Sequence, residues 1–170
     1  MMRSSLVCLA AFVSTLGCGG PPQAVVADDA QPHLGETWFA RRAEVLAISV
    51  DAARARDAAL PGGEGPPPEG ALDDFTAREA AVVWRTQCAA CHGLDGQPPA
   101  AVVGRYEASG QKPPRAWGGM AAMGFMMGGD AMRAKLYTRI ADGIPPAMPA
   151  WGGVLSREQI WALVRHIEGF

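Results

Sequence analysis

Histidine is scarce in this 170-residue chain, which has only His33, His92 and His166. Cysteine is limited to Cys8, Cys18, Cys88 and Cys91, and no second Cys-x-x-Cys pair accompanies Cys88 and Cys91. A four-ligand structural zinc site is therefore short of ligands. Neither sign of charge is in excess: 15 Lys and Arg against 17 Asp and Glu leave a formal net charge of −2, so nothing points to a nucleic-acid partner. The apolar run of residues 6–16 is shorter than the ~20 residues of a bilayer-spanning helix. No segment shows the alternation of a half-buried strand, and there is no internal repeat. A thioredoxin-like use of Cys88 and Cys91 needs a βαβ setting, which is missing. There is no constellation of acid, base and nucleophile either. With 21 Gly and 14 Pro, the chain is rich in loops but short of a disordered composition.

Arg3, the apolar run and Gly17-Cys18-Gly19-Gly20 follow the positive, apolar, small-residue order of a secretory signal, here residues 1–17. Ser14-Thr15-Leu16-Gly17-Cys18 also resembles a bacterial lipoprotein signal, although Thr15 stands where that family usually has Leu. The resemblance implies that Cys18 is lipidated, becomes the first mature residue, and holds the exported protein at the periplasmic face of a bacterial membrane. The other reading is an ordinary cleaved signal with an incidental Cys18.

Residues 18–33 read as a tether, with His33 solvated in it. Residues 34–60 read as a helical segment. Trp38, Val45, Ile48 and Ala52 share one face, and Phe39, Ala43, Leu46 and Val50 the next. Packing on the domain that follows is the expected fate of this stripe; a partner protein or the membrane surface are the alternatives. Residues 61–72 form a Pro/Gly linker, because Pro lacks an amide donor and Gly lacks backbone restraint. Residues 73–170 form the functional domain. Three helices are predicted there. The first starts near Asp73, with Thr76 and Glu79 at capping-box spacing. The second runs from an Asp130 cap to Ala141, with Met132, Leu136 and Ile140 inward. The third opens on a Ser156–Gln159 capping box and buries Ile160, Leu163, Val164 and Ile167. The fold class is all-α, with long loops.

Cys88-Ala89-Ala90-Cys91-His92 is a c-type haem attachment motif. Two thiols in this spacing add to the two haem vinyl groups. His92 then lies under the iron as an axial ligand. A covalent haem cannot dissociate, and it supplies apolar surface that about 100 residues struggle to provide. A disulfide between Cys88 and Cys91 is the remaining alternative.

Downstream, Gly143-Ile-Pro-Pro-Ala-Met148-Pro-Ala-Trp151 precedes the last predicted helix. Together with the haem motif, this segment closely resembles class I cytochromes c over residues 73–170. The resemblance implies a small cytochrome c fold wrapped around one covalent haem c, with Met148 ligating the iron opposite His92. A thioether is a soft, neutral donor that raises the reduction potential, and Pro145, Pro146 and Pro149 stiffen the loop around it. The resemblance also suggests that a proline carbonyl in Lys112-Pro113-Pro114-Arg115, that of Pro114 or of Pro113, accepts the His92 ring N–H, and that Trp151 lies near the haem. His166 is expected to pack between helices. Met120, Met123, Met126 and Met127 are expected to line the haem pocket or contact a partner. Rival roles for them are axial ligation, or copper binding without any nearby His or Cys.

The expected function is single-electron transfer between a redox donor and acceptor, both membrane-bound, by a protein that is not itself an enzyme. Two alternatives stand beside it. One is a haem-based sensor or peroxidase-like module with a displaceable Met148. The other is a cytochrome subunit of a larger oxidoreductase, docked through residues 34–60.

Overall fold

The computed structural model describes residues 31–70 and 72–170. The expected signal, Cys18 and most of the tether lie outside the described residues. The order is α1 (Glu36–Leu46), α2 (Val50–Ala58), α3 (Asp74–Val83), a π-helical turn (Trp84–Cys88), α4 (Ala89–His92), α5 (Ala100–Ala108), α6 (Met120–Asp142) and α7 (Arg157–Glu168). Among the described residues there is no strand, and one isolated bridge pairs Ile144 with Met148. The fold is all-α, as expected.

Helix α7 is the hub. Both halves of its capping box form: Ser156 Oγ accepts from the Gln159 amide at 3.1 Å, and Gln159 Oε1 accepts from the Ser156 amide at 3.1 Å. Ile160, Leu163, Val164 and Ile167 are buried, and so are Trp161 and Ala162. Each large apolar side chain hidden here contributes about 1.5–3 kcal/mol. Helix α3 packs along α7, as do α6 and α2.

Residues 34–60 form two helices where one was expected. Ala47 closes α1 in the left-handed conformation at φ 53°, its amide donating back to Ala43 and Glu44. Ser49 then caps α2, accepting from the Ala52 amide at 3.1 Å. The expected stripe divides accordingly: Trp38 and Ala43 are buried, whereas Val45, Ile48 and Ala52 are exposed. The segment packs on the following residues. Trp38 stacks on Phe75 at 5.6 Å. Arg42, 3% exposed, pairs with Glu158 (2.5 Å) and Asp73 (2.6 Å). The Asp57 carboxylate accepts the Arg157 and Glu158 amides at 3.1 and 2.8 Å, satisfying the open N-terminus of α7. Residues 61–70 are neither helix nor strand, yet they are fastened: Trp161 Nε1 donates to the Pro61 carbonyl at 2.8 Å.

Three local expectations change. Asp73 caps α3, accepting from the Thr76 amide at 2.8 Å, in place of the expected Thr76. Glu79 is thereby free to accept from the His33 amide at 3.0 Å and to meet His33 Nδ1 at 2.8 Å, so His33 is held and not merely solvated. Helix α6 begins ten residues before Asp130, and its two pieces meet at Gly129, where φ is 50°. Helix α5 was not foreseen.

Candidate functional site

The π turn continues α3 directly into Cys88, and one helical turn then presents Cys91 and His92. A π turn is rare and marks functional positions more often than chance. Gly93 stops the helix at φ 77°, where a β-carbon would overlap the Gln97 carbonyl. Trp84 Nε1 donates to the Gly93 carbonyl at 3.1 Å, so the residue that opens the π turn also secures the exit of the motif. Its ring lies 5.7 Å from that of His92 and 5.8 Å from that of His166. His166 therefore bridges α7 and the end of α3, the interhelical role expected of it.

Both thiols are free, so no disulfide joins Cys88 to Cys91. Burial pushes the Cys88 thiol up to about 12, and neighbouring Cys91 adds to the shift. Burial also lowers the His92 value, opposed by the Arg115 backbone. The shift favours the neutral imidazole, the form that binds iron. Its Nδ1 is buried and makes no well-formed hydrogen bond. Pro114, one of the two prolines expected near the ring, lines the cleft, and the backbone that opposes the His92 shift is that of the next residue, Arg115.

Met148 sits in a loop closed on itself. The Ile144 amide donates to the Met148 carbonyl and the Met148 amide to the Ile144 carbonyl, both at 2.9 Å. The amides of Trp151 and Gly152 donate to Ala141 at 3.1 and 2.9 Å, so the loop's far end caps α6. From the other side, Tyr106 Oη donates to the Ala147 carbonyl at 2.7 Å.

These elements enclose a cleft of about 630 Å³, within the ~300–1,000 Å³ range of cofactor sites. Cys88, Cys91, His92, Pro114, Met148 and Trp151 all line it. Apolar Trp117, Leu136, Ile140, Leu163 and Ile167 form much of the remaining wall, and Lys112, Arg115, Lys135 and Arg139 add positive charge. Two thiols, a neutral imidazole, apolar walls and cations suited to carboxylates fit a haem. Among the described residues no group of three His, Cys, Asp or Glu gathers to hold a metal ion, which leaves the zinc alternative without a site.

The methionine cluster lies elsewhere. Met123, Met126 and Met127 are 55%, 85% and 84% exposed, and none of them lines the cleft. The pocket-lining expectation is corrected for these three: they lie before the Gly129 break, whereas Met132, beyond it on the same helix, does line the cleft. Tyr106 is the site residue that sequence reasoning missed. Its helix carried no cap or periodic signal strong enough to place it.

Residues 75–167 match the family described as cytochrome c oxidase, cbb3-type, subunit III. No curated protein and no solved structure matches the chain.

Proposed function

Because the chain belongs to the family described as cytochrome c oxidase, cbb3-type, subunit III, we propose that it carries single electrons through one haem c seated in the 630 Å³ cleft. Cys88 and Cys91 would hold the haem by thioethers. His92 and Met148 would ligate its iron. The observation that carries this reading is that Met148, 56 residues beyond His92 in sequence, lines the same cleft as the haem motif. The haem iron supplies a one-electron couple when bound, and a soft thioether raises its potential. The clamped loop would hold Met148 in place, so that little would have to reorganise on electron transfer.

The signal in residues 1–17 and the lipid at Cys18 complete the reading: an exported protein at the periplasmic face of a membrane, moving electrons between a membrane-bound donor and acceptor. The family's description favours a partner of the oxidase type, in which case the chain is the cytochrome subunit of a respiratory complex. Recovery of the full-length protein with such a complex from a detergent-solubilised membrane fraction is the expected result. Recovery only as a free soluble protein would leave electron carriage standing and remove the subunit role.

The decisive test is optical. The full chain, matured with haem, should be low-spin and six-coordinate. It should show a methionine-to-iron charge-transfer band when oxidised and bind carbon monoxide only slowly when reduced. A high-spin spectrum with prompt carbon monoxide binding would mean that the iron is open and would move the sensor or peroxidase-like reading ahead.

A further inference from the structure

Helix α5 is fastened to the site by one phenol. Tyr106 is half-buried and lines the cleft, and its Oη reaches the Ala147 carbonyl across 41 residues of sequence. Among the described residues, no other α5 side chain hydrogen-bonds to a distant segment. The accepting carbonyl immediately precedes Met148. We infer that Tyr106 is a positioning residue that latches the Met148 loop against the cleft and so sets how often the methionine leaves the iron. This rests on the reading of Met148 as a ligand given above.

The loop's own bonds explain the need for a latch. The Ile144–Met148 pair fixes its shape, and the Trp151 and Gly152 amides fix its far end on α6. Pro145, Pro146 and Pro149 line the cleft and are exposed, so this stretch of the loop is not buried against the rest of the protein. The Tyr106 bond holds the inner side, and it exists only while the loop occupies the cleft. A contact made in one of two states shifts their populations by its full worth. Tyr106→Phe keeps the ring against the cleft and removes only the donor.

The test uses the full-length haem-loaded protein as wild type, Tyr106→Phe, Met148→Ala and Ser109→Ala. The last removes a hydroxyl that bonds the Tyr106 carbonyl on the same helix, away from the cleft. Carbon monoxide must displace Met148, so its rate of binding to the reduced protein reads the open population. Tyr106→Phe should bind about fivefold faster than wild type, the scale of one lost hydrogen bond. Ser109→Ala should bind at the wild-type rate, and Met148→Ala should bind at once. If Tyr106→Phe matches wild type while Met148→Ala opens, the latch is wrong and the ligand reading stands. An equal rise in Ser109→Ala would assign the effect to general stability of α5 and also overturn the latch. If Met148→Ala itself matches wild type, the ligand reading fails and takes the latch with it.

Discussion

The carbonyl oxygen of Met148 lies 2.6 Å from the place a β-carbon on Gly143 would occupy, and the Ala150 amide nitrogen lies 2.7 Å from it. Gly143 also holds φ at +71°, a conformation that side chains resist. Two independent constraints therefore require glycine at the start of the Met148 loop. Gly143→Ala should destabilise the protein by about 1–3 kcal/mol and displace the loop. In the haem-loaded protein, the charge-transfer band should weaken and carbon monoxide binding should quicken. A variant with the wild-type spectrum and rate would show that the loop is held without this close approach.

Asp57 caps α7 from a hundred residues away in sequence. Asp57 is 8% exposed, and its carboxylate meets the positive end of the helix dipole. Asp57→Ala should cost about 0.5–2 kcal/mol of stability, with Asp57→Asn recovering much of it, since Asn also accepts. Thermal unfolding measures the effect. The haem spectrum should stay unchanged, because Asp57 does not line the cleft. No loss in Asp57→Ala would mean that this carboxylate adds nothing to the stability of α7.

Burial holds the His166 imidazole below its ordinary value of 6.5. The unfolded chain takes up a proton there that the folded protein resists. This site's contribution to stability is therefore full above about pH 6.5 and is lost as the pH falls below that, through the lower value of the folded protein. His166→Phe keeps a ring against Trp84 and cannot titrate, so denaturant midpoints between about pH 5 and 7 should flatten relative to wild type. An unchanged slope would assign the acid sensitivity to another group.

What the sequence made legible was local. The haem motif and the Ser156–Gln159 box depend on spacings of a few residues, and both are visible in any reading of the chain. The Leu136 and Ile140 stripe is equally local. What stayed hidden depended on partners far along the chain. Glu79 looked like half of a capping box, and it serves His33 instead, because Asp73 had already satisfied the helix. Ser49 breaks residues 34–60 into two helices, although alanine-rich sequence around it favours continuity. The exposed methionines resembled pocket lining because only the Gly129 break separates them from Met132, and glycine does not declare which way a helix will turn.

The linker has a consequence for integrity. Trp161 holds Pro61 at one end, Arg157 Nη1 donates to the Leu60 carbonyl at 2.7 Å, and Gly63 lies against Thr138 so closely that a β-carbon would overlap it. Glu64 and Pro66 are nevertheless exposed. A protease nick there would be silent: the chain would become two pieces that remain one particle, the N-terminal piece still gripping α7 through Arg42 and Asp57. A mass measured under denaturing conditions would fall, while the size of the native protein stayed the same.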